Sequence, residues 1–235
     1  KVYSNCEEVE LLNDLNVSLA KQKRGKEGVF IWNNVPIQYN MLIAKGFVNG
    51  KSVAEDMVQL HHLPTAPAWS AQKQQTKNLV VNSPQKHYLY RVNCGGDYYI
   101  DKNKSLWLAD QAKTPQNQWG YLSWANDFEG IPKAYASQRR TFDPIKNTTD
   151  DELFQSFRYG RDKLSYQFAL PDGQYEVELY FIEPWHGTGG GYDYSGWRLF
   201  DVAFNGKTVL RKLDIWKEAG HDAVLKKTIP FQVKG

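Results

Sequence analysis

The chain of 235 residues is 41% hydrophobic and 23% charged, ordinary for a globular protein and enough for one large domain or two modest ones. No run approaches the ~18 apolar residues of a membrane-spanning helix. The formal charge of +3 arises from Lys73, Lys77 and Lys86, since acidic and basic residues balance in 1–66 and again in 90–235; a nucleic-acid partner needs a basic face on a folded domain and is disfavoured.

Residues 1–66 alternate short β-like runs with turn signals. VFIWNNV places Phe30 and Trp32 on one strand face and Val29 and Ile31 on the other. MLIAKGFV and KSVAEDMVQL flank Asn49-Gly50, a two-residue hairpin signal. Such a pattern predicts a small antiparallel β-sandwich. Cys6 and Cys94 are the only cysteines, one in each half, so no disulfide framework is signalled and each is expected to be a small buried hydrophobe.

Residues 67–87 lie in a stretch rich in proline and glutamine, and they read as a linker. Trp69 and Leu79–Val81 are too apolar for a free tether and are expected to pack on a neighbouring domain. Beyond residue 88 the chain is again β-rich. LSYQFAL and QYEVELYF alternate around Pro171-Asp172-Gly173, which predicts a hairpin. FDVAF and KTVLRKL flank Asn205-Gly206, which predicts another. The expected fold class is all-β, with two antiparallel sandwiches in tandem.

Candidate chemistry is sparse. Thr149-Asp150-Asp151-Glu152 reads as a capped turn, and Asp127 and Glu129 as solvated charge. His61 and His62 are adjacent, while His87, His186 and His221 stand alone, so zinc-ligand spacing is missing. Neither catalysis by this chain nor a metal or other cofactor is expected. Loop aromatics carry the stronger signal. Trp107, Trp119, Trp124, Trp185 and Trp197 lie near Gly, Asp or Asn, and residues 183–197 read EPWHGTGGGYDYSGW. The C–H face of a sugar stacks on flat rings, while its hydroxyls need carboxylate, amide or guanidinium partners. Trp185, Tyr192 and Tyr194 around the glycine run are candidates for stacking, with Arg158 or Asp193 as polar contacts and GTGGGYDYSG as a mobile flap.

YRVNCGGDYYIDKNKSLWLADQ, QWGYLSW, FRYGRDKLSYQFALPDGQYEVELYFIEPW and RLFDVAFNGKTVLRKLDIWKEAGHDA together resemble malectin-like carbohydrate-binding modules over residues 88–235. That resemblance implies a jelly-roll sandwich whose end loops bind glucose-containing or related glycans, and a closing strand beyond residue 235. It assigns sugar contacts to Trp119, Tyr159 preceded by Arg158, Trp185 and His186. VYSNCEEVEL and LIAKGFVNGKSVAED resemble the small immunoglobulin-like sandwich of family 2, β-galactosidase-like, glycoside hydrolases. Together the halves imply the C-terminal portion of such an enzyme, working at the periplasm or cell surface. Its partners would be a glycan and the parent's catalytic domain. The alternative is a spacer that supports the catalytic barrel or oligomer contacts without binding glycan.

Overall fold

The computed structural model describes residues 1–60, 62–67, 73, 76–122, 138–160, 164–188 and 192–234. Trp69, Trp124, Asp127 and Glu129 therefore lie outside the described residues. The fold is nearly all-β; the elements described are antiparallel sheets, a parallel strand pair and, among the described residues, two five-residue helices.

In the first half, β1 (Val2–Tyr3) pairs with β4 (Val29–Phe30), and a four-stranded antiparallel sheet runs β3-β2-β5-β6. Its strands are β2 (Glu8–Asn13), β3 (Ser18–Lys23), β5 (Met41–Val48) and β6 (Lys51–Gln59). Asn49 and Gly50 join the last two with φ of 50° and 72°, the double left-handed conformation that a two-residue hairpin requires. Cys6, Val9 and Phe30 form the core, with Trp32 stacked 6.4 Å from Phe30. Cys6 is buried as expected; a Cβ at Gly46 would sit 2.5 Å from its sulfur. Cys94, by contrast, is exposed, because it stands in the turn that ends its strand rather than inside a ladder.

The second half begins with a three-stranded sheet in the order β7-β9-β8, from β7 (Val92–Asn93), β8 (Tyr99–Ile100) and β9 (Leu106–Ala109). Next come β10 (Trp119–Leu122), β11 (Gln138–Arg140), α1 (Asp151–Gln155) and β12 (Ser156–Arg158), with β11 paired to β12. The remaining elements are β13 (Ser165–Phe168), β14 (Gly173–Phe181), β15 (Phe200–Phe204), β16 (Lys207–Leu213), α2 (Ile215–Ala219) and β17 (Leu225–Val233). The Asn205-Gly206 hairpin forms between β15 and β16.

The hairpin expected across Pro171-Asp172-Gly173 does not form. β13 pairs with β10, and β14 pairs with β17 along nine residues from Gly173↔Val233 to Phe181↔Leu225. The turn instead carries the chain from one sheet to another. A long ladder with a distant strand outweighs what a short β13 could offer next to it. The capped turn also differs from expectation: Asp150 precedes α1 but makes no side-chain cap. Its buried carboxylate accepts from Tyr99 Oη at 3.0 Å and from the Lys102 amide at 2.8 Å.

The core of the second half gathers Val80, Trp107, Ile145, Leu153, Phe154 and Val224. Trp107 is thus a core ring, with its indole N–H satisfied by Asp101 at 2.9 Å. The stretch between the halves contributes directly. Val80 lies inside this core, and Lys73 is buried with its ammonium donating to Asp151 Oδ1 at 2.6 Å and to the carbonyls of Ile145 and Thr148. Burial lowers the Lys73 pKa and raises that of Asp151, in each case against the pull of the partner's charge. The two halves also touch: the Gln59 amide donates to Phe142 O at 2.8 Å and Gln155 Nε2 to Gln59 Oε1 at 3.3 Å.

Candidate functional site

The aromatic residues singled out in the sequence fall into two groups. The first is built on the β10–β13 pair, whose register sets Trp119 against Phe168 and Tyr121 against Tyr166. The Trp119 and Phe168 rings lie 5.9 Å apart and within 8° of parallel, and Tyr90 tilts against both. Trp119 is only 7% exposed. Its position in a paired strand, rather than in a loop, accounts for the burial, so it does not offer the open stacking face expected of it.

Arg158 is equally engaged. Its Nε donates to Asp110 Oδ2 at 2.5 Å, and its guanidinium carbon lies 3.4 Å from the Tyr121 ring centroid. Asp110 also accepts from the Gly95 amide at 2.8 Å and from Tyr166 Oη at 3.1 Å. Burial pulls the Arg158 pKa down, but the Asp110 carboxylate outweighs it and the net shift is upward. The pair pins β12 to β10 and β13, which makes Arg158 a positioning residue rather than a polar contact held open for ligand. Tyr159, next in sequence, is half-buried, with the Arg139 guanidinium 5.4 Å from its ring.

The second group stands beyond the end of β14. Tyr180, near that end, packs its ring against Trp107 and Phe154 in the core, which anchors the strand. Two residues past it, Glu183 is 1% exposed. Its Oε1 accepts the amides of Trp185 and His186, both at 3.0 Å, and its Oε2 lies 3.1 Å from Arg198 Nη1, at ion-pair range but out of hydrogen-bond alignment. Its carbonyl accepts from the Asp222 amide at 3.1 Å. One buried carboxylate therefore folds the start of the loop and holds the residue that follows Trp197.

Around this hub the rings face outward. Trp185, Tyr192 and Trp197 are 71%, 75% and 69% exposed. His186 stacks on Tyr194 at 5.3 Å, and Trp197 meets both edge-on at 5.8 and 5.3 Å. Tyr194 also rests on Trp216 of α2. Asp214 caps α2 through the Lys217 amide and accepts the Gly196 amide at 2.6 Å, which ties the loop to the helix. Gly187 has φ of 105°, and a Cβ there would come within 2.8 Å of Trp216 Nε1 and His221 Cβ, so this position requires glycine. Asp193 is exposed; its carboxylate accepts from the Ser195 amide, and hydrogen bonding to Ser195 lowers its pKa. The expected flap includes residues 189–191, which lie outside the described residues.

The structure thus brings His186, Tyr192, Tyr194 and Trp197 into one ring cluster. Trp185 is tied to His186 through Glu183, and among the described residues no ring contact joins this cluster to Trp119 or Tyr159. Glu183, Arg198, Asp214 and Trp216 were not among the candidates. Only Glu183 had a visible signal, as a carboxylate at the end of an apolar strand immediately before Pro-Trp-His.

Residues 88–235 match the malectin domain model, and residues 1–54 match a domain of unknown function, DUF4982. Malectin-B of Xenopus laevis is 32% identical over 149 residues, covering 62% of this chain and 46% of that protein. Malectin of Homo sapiens is 29% identical, covering 62% and 43%. A probable LRR receptor-like serine/threonine-protein kinase RFK1 of Arabidopsis thaliana is 32% identical, covering 58% of this chain and 14% of the kinase. The chain spans less than half the length of these malectins. Among solved structures, Bacteroides uniformis beta-glucuronidase aligns with 99% of this chain and 24% of its own, at 25% identity and a TM-score of 0.49. Through residues 88–235, this chain belongs to the malectin domain family.

Proposed function

We propose that residues 88–235 are a non-catalytic carbohydrate-binding module whose ligand stacks on the exposed cluster of Trp185, Tyr192 and Trp197, with Asp193 and Tyr159 as further contacts. The observation that carries this reading is the set of three exposed aromatic rings arranged beside a fully buried carboxylate that orders their loop. Exposed rings of this size are costly to leave wet, whereas a sugar face covers them without requiring their polar edges to be buried. Trp197 already packs on His186 and Tyr194, and Tyr192 on Tyr194, so those two rings lose little side-chain entropy on binding.

The resemblance of residues 1–60 to a domain of family 2 glycoside hydrolases supports a wider role. The module would hold a parent hydrolase against polysaccharide at the periplasm or cell surface, where tethering raises the effective concentration of substrate without new chemistry. No helix among the described residues is long and apolar enough to cross a membrane. Titration calorimetry of the chain against α- and β-linked oligosaccharides tests the reading. Saturable binding that weakens about tenfold in Trp185→Ala supports it, and no heat from any glycan at millimolar concentration overturns it.

A second reading is favoured by the covered Trp119, the engaged Arg158 and the Gln59–Gln155 junction between halves. In that reading the module is a structural spacer. Deleting residues 88–235 from the parent enzyme would then lower its Tm and leave polysaccharide binding untouched.

A further inference from the structure

We propose that Asp143, His221 and Asp222 bind one divalent transition-metal ion of the zinc type, which fastens the loop carrying Trp185 and His186 to the segment before α1. Asp143 stands 78 positions ahead of the adjacent pair His221 and Asp222 in the chain. One carboxylate oxygen from each aspartate and one imidazole nitrogen all lie within 4.8 Å of one another.

The His221 ring is oriented from outside this group. Nδ1 lies 3.1 Å from both Glu183 O and His186 O. Carbonyl oxygens only accept, so Nδ1 carries a hydrogen and Nε2 is the nitrogen left to face Asp222 Oδ2, 2.9 Å away. A proton on Nε2 makes an ion pair there, and a metal ion that displaces that proton would take the same two atoms as ligands. A backbone carbonyl that fixes the far nitrogen of an imidazole is also the usual outer support of a metal-binding histidine.

A second, independent observation is the other oxygen of Asp222. The residue is 5% exposed, and Oδ1 is buried without a hydrogen-bond partner. An orphaned carboxylate oxygen is costly, and an ion between the aspartates would satisfy it. The neighbouring lysine does not: Lys146 Nζ reaches the His221 carbonyl at 3.5 Å. Asp143 accepts from Thr141 Oγ1 through Oδ2. One imidazole with two carboxylates suits zinc or manganese better than calcium or magnesium, which favour all-oxygen sets. Zinc distances of about 2.0–2.2 Å require only that His221 and Asp222 part slightly, and three protein ligands leave one position for water.

The inference is independent of whether the ring cluster binds glycan. The test strips the 235-residue chain with a chelator and titrates it with zinc chloride by calorimetry, alongside thermal melts. One saturable equivalent is expected, with Tm rising by roughly 5–10 °C at a hundredfold excess over Kd. Asp143→Asn, which preserves volume at a half-exposed position, should weaken binding at least about tenfold, and His221→Gln should abolish it. Calcium chloride should produce neither effect. Absence of saturable binding, or one-to-one binding that survives Asp143→Asn unchanged, overturns the proposal.

Discussion

The two aromatic groups of the second half are made of the same residue types and differ in what surrounds them. The rings of Trp119, Tyr121 and Tyr166 sit on paired strands, where register dictates their neighbours and the Arg158–Asp110 pair closes the remaining gap. The rings of Trp185, Tyr192 and Trp197 sit on a loop whose own backbone is organised by Glu183 and Asp214. In the first group the aromatic surface is used up in holding strands together. In the second the polar residues do the holding, and the aromatic surface is left over. Aromatic content alone therefore does not mark a binding face; what marks it is that something else carries the structural work.

The sharpest way to break this contrast is to remove the polar closure of the first group. Asp110→Ala leaves Arg158 buried without its carboxylate, a change that costs about 3–5 kcal/mol, and a fall in Tm of roughly 10 °C or more should follow in a melting curve. Glycan affinity, measured on the folded fraction, should stay within twofold. Trp119→Ala is expected to act alike, at about 3–5 kcal/mol for a buried indole. If instead it removed glycan binding while leaving Tm intact, the first group would be the binding face.

Trp185→Ala should do the opposite. Because the ring is exposed, its loss should move stability by no more than about 0.5 kcal/mol, while calorimetry should show glycan affinity falling about tenfold, or ~1.4 kcal/mol. Trp197→Ala should weaken binding similarly, with a somewhat greater effect on Tm because its ring packs on His186 and Tyr194.

The smallest effect concerns β14, which leads into the second group. Burial pushes the Glu178 pKa up, but hydrogen bonds from Lys86, Lys226 and Tyr180 outweigh it and the net shift is downward. A depressed carboxylate contributes stability above its unfolded pKa of about 4.3, and that contribution disappears as pH falls through the lower folded value. Glu178→Gln should therefore lower Tm by a few degrees at pH 7 and by less at pH 3.

Much of this was legible from local sequence. Asn49-Gly50 and Asn205-Gly206 declare their turns because almost no other pair tolerates two successive left-handed residues. Exposure of Trp185 followed from the adjacent glycines, which cannot build a wall to cover it. The Pro171–Gly173 turn misled, since a turn signal says where the chain bends and not which strand it meets next. Trp119 misled for a related reason: its glycine neighbour suggested a loop, whereas Gly120 lies in a strand so close to Lys113 that a Cβ would fall 2.4 Å from its amide nitrogen. Asp110, the partner of Arg158, is 48 positions away in the chain, and the Glu183 carbonyl that meets His221 is 38 away, and nothing in their spacing announces them.

The buried strap has a consequence for how this unit can be moved. Matched by family likeness, the module begins at residue 88, yet Lys73 neutralises Asp151 and Val80 fills the core from upstream of that point. A graft cut at the family boundary would inherit a vacancy and an orphaned charge, whereas one begun before Lys73 would travel with its own keystone. The unit that inheritance recognises is thus shorter than the unit that folds.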